Sequence, residues 1–192
     1  SIYESEIKSD IAVLYDYTNR WAWAAQPQSE AFDIEKEILR FYRPFYTYQQ
    51  LVDVRKLECD LENYKVVCLP AMMVLSDEMV NRLENYVKKG GIVIFGYRSG
   101  LKDITNNIRF GCNPVQKLSG IKVKNYESLG HDVVVEVVTR EGEAHTFNVW
   151  REMIEPVEAE SLCQYTDAFY KQYSGATRRN IGNGSVYCIG GG

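Results

Sequence analysis

The stretch that decides the fold runs from Tyr64-Lys-Val-Val-Cys-Leu-Pro70 through Ser76-Asp-Glu-Met-Val-Asn-Arg-Leu-Glu-Asn-Tyr-Val-Lys-Lys-Gly-Gly91 to Ile92-Val-Ile-Phe95. Its opening is a short apolar run closed by a proline, the pattern of a strand buried on both faces. Ser76 is placed to cap a helix, Asp77 and Glu78 put negative charge in its first turn, and Lys88 and Lys89 put positive charge in its last. Gly90-Gly91 then ends it. Met79, Val80, Leu83, Tyr86 and Val87 fall on one face at helical spacing, so that face is expected to be buried. Ile92 to Phe95 reads as the next strand of the same sheet. Strand, helix and strand in immediate succession form the unit of a parallel sheet covered by helices.

Working towards the N-terminus, Ile11-Ala-Val-Leu-Tyr15 reads as a first buried strand, and Leu51 to Val54 as part of a second. Between them Ile34, Ile38, Phe41, Tyr42 and Phe45 mark one face of a helix with Asp33 as its N-cap. Pro44 lies inside that pattern, and the loss of a hydrogen bond there predicts a kink or an early helix end. Residues 10–110 are thus expected to build a doubly wound, mostly parallel α/β sheet in three layers. Residues 111–192 change character: Ile121 to Tyr126, Val133 to Val138, Thr146 to Trp150 and Ser185 to Ile189 are strand-like pieces, a β-rich continuation of the same domain. Gly182-Asn-Gly-Ser185 carries an Asn-Gly hairpin signal, which outweighs the glycosylation acceptor it also spells at Asn183. The chain stops directly after the last of these strands, which suggests a piece of a longer protein.

Composition bounds the function. At 192 residues, with 45% apolar and 25% charged residues, the chain can bury one real core. Its net charge is −4, with Lys and Arg scattered, so neither a nucleic acid backbone nor an anionic membrane is an expected partner. The five cysteines, Cys59, Cys68, Cys112, Cys163 and Cys188, are far apart, without a C-x-x-C pair, and only His131 and His145 could help them hold zinc. No metal or cofactor is expected. Cys68 and Cys188 lie in apolar runs and read as small buried hydrophobes, which fits a reducing, cytoplasmic compartment.

In wound sheets function gathers after the carboxyl ends of strands, here after Tyr17, Pro70 and Phe95. Tyr15 to Ser29 reads as a long aromatic loop, in which Trp21 and Trp23 suit an interface or a ligand better than a mere sheet cover. The loop Gly96-Tyr-Arg-Ser-Gly-Leu-Lys-Asp103 occupies the position of a nucleophile elbow. Ser99, however, directly precedes the second glycine, so G-x-S-x-G is not formed, and no histidine is evidently its base. An amidotransferase would need a cysteine at this turn, and the nearest, Cys112, lies downstream. No G-x-G-x-x-G or Walker loop follows a strand, which removes the phosphate cradle of a dinucleotide site.

Several segments together resemble the middle domain of glycoside hydrolase family 42 β-galactosidases. They are Val13-Leu-Tyr-Asp-Tyr-Thr-Asn-Arg-Trp-Ala22 with Gln26-Pro-Gln-Ser29, Leu39-Arg-Phe-Tyr42, Leu69-Pro-Ala71 with Leu75-Ser76, and the helix end into Gly90-Gly91. Further along come Tyr97-Arg-Ser-Gly100 with Lys102-Asp103, Ile154-Glu-Pro156, and Thr177-Arg178 with Asn180. The pattern is departed from at Trp23, Pro44 and Cys112. The resemblance implies a class I glutamine-amidotransferase-like fold that mediates homotrimerisation. It also implies a separate barrel domain carrying both catalytic glutamates, so galactoside would be met only through the parent enzyme, which cleaves terminal β-D-galactose with retention. Asn19, Arg20, Trp21, Trp23, Tyr97, Arg98, Lys102 and Asp103 are the candidates for an interface, or for a wall of a neighbouring subunit's sugar site. Two other readings stand beside this one: a stand-alone amidotransferase-like hydrolase, against which the missing elbow cysteine counts, and a carbohydrate- or nucleotide-binding module.

Overall fold

A computed structural model describes residues 8–111 and 113–192; Cys112 lies outside the described residues. The strands are β1 (Ile11–Tyr15), β2 (Val52–Lys56), β3 (Val66–Leu69), β4 (Ile92–Phe95), β5 (Ile121–Ser128), β6 (Val135–Thr139), β7 (Ala144–Phe147), β8 (Trp150–Pro156), β9 (Glu160–Tyr165), β10 (Ser174–Ile181) and β11 (Gly184–Ile189). The helices are α1 (Tyr17–Ala25), α2 (Ile34–Thr47), α3 (Asp77–Lys88) and α4 (Pro114–Ser119).

The strands join in one mixed sheet of 11, in the order β2-β1-β3-β4-β11-β10-β9-β6-β7, with β5 and β8 paired to each other off that path. From β2 to β11 every pairing is parallel; from β11 onwards every pairing is antiparallel. The expectation of a mostly parallel sheet therefore holds for its first half only. The last strand of the chain, β11, lies beside β4 and completes the parallel half.

Strand alternation sorts the parallel half into three layers. Ala12, Leu14, Val67, Leu69, Val93, Phe95, Val186 and Cys188 face Met79, Val80, Leu83, Tyr86 and Val87 of α3 and Val115 and Leu118 of α4. On the other face Val13 and Cys68 meet Phe41 of α2, with Ile38, Phe45 and Ile94 packed around them. The buried face read for α3 is the one observed, and Ser76 Oγ accepts from the Met79 amide at 3.0 Å as its cap. Asp33 caps α2 in the same way, accepting from Glu35 and Lys36.

Pro44 does not end α2 at once: the helix continues to Thr47 and stops there, within its next turn. The proline stands in the last turn at an exposed position, where water can satisfy the carbonyl it leaves without a donor. The expected strand from Thr146 to Trp150 is two strands. The chain turns at Asn148 and Val149, whose amides both donate to the Gly192 carbonyl at 2.7 Å. The hairpin between β10 and β11 turns on Gly182 and Asn183, one residue before the Asn-Gly pair, with Ile181 opposite Gly184. Gly182 takes φ 58° there, the left-handed geometry that a glycine-first two-residue turn needs. Gly184 is fixed by crowding: a Cβ on it would lie 2.2 Å from the Gly91 carbonyl oxygen and 2.3 Å from that of Val87.

Candidate functional site at the carboxyl ends of the parallel strands

The connection after β1, read as a loop, is largely α1. Asp16 caps it by accepting from the Asn19 amide at 2.8 Å. Asn19 is buried and clamps the helix to the segment after β3: its Oδ1 accepts from the Val74 amide at 2.7 Å, and its Nδ2 donates to the Val74 carbonyl at 2.9 Å. Trp23 is 2% exposed. It donates Nε1–H to the Ala71 carbonyl at 2.8 Å and stacks on Phe32 with ring centroids 4.0 Å apart. Two residues earlier, on the opposite side of the helix, Trp21 is 69% exposed, beside Tyr17 with centroids 6.4 Å apart. Arg20 reaches Glu35 at 3.1 Å across the surface.

The loop after β4 is the second wall. Tyr97 is buried against Trp150, stacked with centroids 5.9 Å apart, and donates its hydroxyl to Glu37 at 3.2 Å. Burial raises the Tyr97 pKa well above its ordinary value, and burial likewise raises that of Glu37 against the pull of Arg40. Arg98 adopts φ 62°, a left-handed backbone uncommon for a side-chain-bearing residue. Its guanidinium lies 3.9 Å from the Tyr126 ring centroid and 5.0 Å from that of Trp150, and donates to Gln28 Oε1 at 2.7 Å. Its backbone amide donates to Glu152 at 2.9 Å. Burial pushes the Glu152 carboxyl up to about 7, opposed by the Arg98 amide and guanidinium. Glu152, Trp150 and Tyr126 were not among the residues singled out in the sequence. The available signal was Arg151-Glu152 between Trp150 and Met153, charges set inside an apolar strand.

The neighbouring Ser99 is engaged with its own loop, its hydroxyl donating to the Gly96 carbonyl at 2.7 Å. His131 and His145 are exposed and pair with Glu30 and Glu143. Lys102 is buried, donating to Gln26 at 3.2 Å and Asn106 at 3.0 Å, and burial with the nearby Arg98 charge lowers its pKa. It ties α1 to a small hairpin, in which Lys102 bridges Ile108 and Asp103 accepts from Thr105 and Asn107. Those bonds hold the Asp103 carboxyl below its ordinary value.

The eight residues chosen from sequence thus converge on one end of the sheet but divide by exposure. Asn19, Trp23, Tyr97, Arg98 and Lys102 are buried framework, whereas Arg20, Trp21 and Asp103 reach the surface. Beside them stand Tyr17, Ile104, Ile108 and Phe110, the last 90% exposed. The outcome is a buried aromatic base of Trp23, Tyr97 and Trp150 with Phe32 packed against it, and exposed apolar side chains on the connections around it. Behind Arg98 and Glu152 opens a cavity of about 530 Å³.

A family model described as the β-galactosidase trimerisation domain matches residues 9–191. The chain belongs to this β-galactosidase trimerisation domain family. A β-galactosidase of Clostridium perfringens is 29% identical over 195 aligned residues, covering 96% of this chain, and one of Halorubrum lacusprofundi is 30% identical over 199, also covering 96%. The chain spans 28% of the length of each of these two relatives. The crystal structure of the β-galactosidase from Bacillus circulans sp. alkalophilus superposes with a TM-score of 0.93 at 27% identity, covering 99% of this chain and 29% of that one. Among the described residues, Tyr17, Trp21 and Phe110 are exposed aromatic side chains on the connections after β1 and β4.

Proposed function

We propose that this chain is the assembly domain of a family 42 β-galactosidase, a retaining enzyme that hydrolyses terminal β-D-galactose residues, and that it holds three copies together without itself breaking bonds. The observation that carries the reading is the trimerisation-domain match across residues 9–191. The physical support is the rim. Tyr17, Trp21, Ile104, Ile108 and Phe110 expose large apolar surfaces on elements fixed from behind by Asn19, Trp23 and Lys102. Aromatic anchors held rigidly lose little entropy on docking and gain much on burial. A ring of three requires a head-to-tail interface, in which this rim meets a different face of the next copy.

The same rim, with Asn19 behind it and Arg20 and Trp21 on it, walls the sugar site in the barrel of a neighbouring subunit. The fold is read as amidotransferase-like: Arg98 stands with positive φ in the tight turn after β4, where such a fold carries its nucleophile, and Glu152 occupies that residue's backbone amide. Arginine there supplies no nucleophile, and Ser99 is turned to a carbonyl, which supports a non-catalytic role. The buried free thiols of Cys68, Cys163 and Cys188 suit a cytoplasmic protein.

Sedimentation of the parent protein tests the reading. A trimer is expected for the wild type. Trp21→Ala should weaken association or change KM for a galactoside, while leaving the melting temperature of the subunit in place. A wild-type monomer, or a Trp21→Ala protein unchanged in both assembly and kinetics, defeats it.

A further inference from the structure

The cavity behind Arg98 is not explained by assembly. Its lining includes Arg98, Arg109, Lys117, Lys122 and Lys124 against the one carboxylate of Glu152, in a chain whose net charge is −4. Two of these cations are already paired, Lys124 with Glu155 at 2.8 Å and Arg109 with Asp77 at 2.8 Å. Arg98, Lys117 and Lys122 have no ion-pair partner among the described residues. Arg98 is 4% exposed, and its Nε is buried without a hydrogen-bond acceptor. A buried donor without an acceptor on a charged group is costly, so the Arg98 guanidinium keeps unused hydrogen-bonding capacity at the cavity wall. Glu152, the one carboxylate in the lining, sits where burial favours its neutral form, and Glu155 and Asp77 just outside it are engaged by Lys124 and Arg109. Stacking on Tyr126 and the hydrogen bond to Gln28 hold the guanidinium, so the cation is in place before any ligand arrives.

We propose that this cavity is a binding site for a small oxyanion, the carboxylate or phosphate group of a metabolite, with Arg98 as its central cation and Lys117 and Lys122 at its rim. Its volume of about 530 Å³ accommodates a small metabolite. The site is built from parts of one chain, so it stands or falls separately from trimerisation.

Calorimetric titration of the protein with inorganic phosphate and with citrate, at ionic strength held constant with sodium chloride, tests the assignment; galactose serves as the neutral control. Saturable binding of phosphate, citrate or both is expected, with none of galactose, and the preferred anion identifies the group recognised. The double variant Lys117→Ala with Lys122→Ala, both at exposed positions, should weaken that binding roughly fivefold or more. Arg98→Met should abolish it; if that variant does not fold, the double variant decides. No saturable heat with either anion, or equal affinity in the double variant, overturns the proposal.

Discussion

Asn19 lies among residues that resemble an assembly surface, yet its side chain is a clamp, and truncating it measures how α1 is held. Asn19→Ala removes both partners of Val74: the acceptor for its amide and the donor to its carbonyl. Val74 is 4% exposed, so water reaches neither group without local opening. Each orphaned group costs about 1–3 kcal/mol, so the variant should lose roughly 2–5 kcal/mol, a large part of the about 5–15 kcal/mol that stabilises an ordinary domain. The cap is spared, because the bond from the Asn19 backbone amide to Asp16 does not involve the deleted side chain. The assay is urea unfolding followed by circular dichroism. With a slope of about 1–3 kcal/mol per molar, the midpoint should fall by roughly 1–2 M at unchanged slope. A loss below about 1 kcal/mol would refute the clamp, since Val74 would then be satisfied by other groups. Asn19→Asp sharpens the test: it keeps an acceptor for the Val74 amide but cannot donate to the carbonyl, and it brings a second charge to Asp16.

Three further outcomes follow from particular contacts. Glu152 binds its proton more tightly folded than unfolded, with a pKa raised from 4.5 to about 7. Its contribution to stability is therefore full below the lower value and lost as pH rises through the upper, by about 3 kcal/mol in all. Glu152→Gln should flatten that part of a melting profile between pH 5 and 8 and raise stability at the alkaline end; an unchanged profile would show that the carboxyl is not titrating there. Gly184→Ala would press a methyl group into the Gly91 and Val87 carbonyls and should cost about 2 kcal/mol or more in denaturant unfolding; a neutral result would mean that the end of α3 and the hairpin can separate freely. Burial pushes the thiols of Cys68 and Cys188 up to about 12, so both should resist an aromatic disulfide reagent in the native protein and react on unfolding. Rapid native labelling of either would contradict their place in the core.

The α3 unit was legible because local and tertiary preferences agree there. Ser76, the charges at both helix ends, the glycine pair and the five apolar residues all point to one element, and it forms as read. At α1 the two preferences are weaker. Two tryptophans within three residues of each other do not mark one helical face, and only the contacts of Trp23 with Ala71 and Phe32 show which is the inward one. The helix start was nonetheless present in Asp16, which caps it. α4 and β9 went unread because one is six residues long and the other carries mixed polar residues without clean alternation. Of the site, the loops after β1 and β4 were located from topology alone. Glu152 escaped because its partner is the backbone of Arg98, distant in sequence.

By itself the sequence determined the strands β1 to β4 and the helices α2 and α3 of the parallel half, which face of α3 is buried, and which ordered motifs tie the chain to its family. These are local periodicities, and a period survives without knowledge of neighbours. Tertiary structure alone decided that β11 returns to β4, that the second half pairs antiparallel, and that Asn19, Trp23 and Lys102 are framework while Trp21 is rim. Strand partners and the inward side of an aromatic pair are set by contacts between segments far apart in the chain, and no local pattern encodes them.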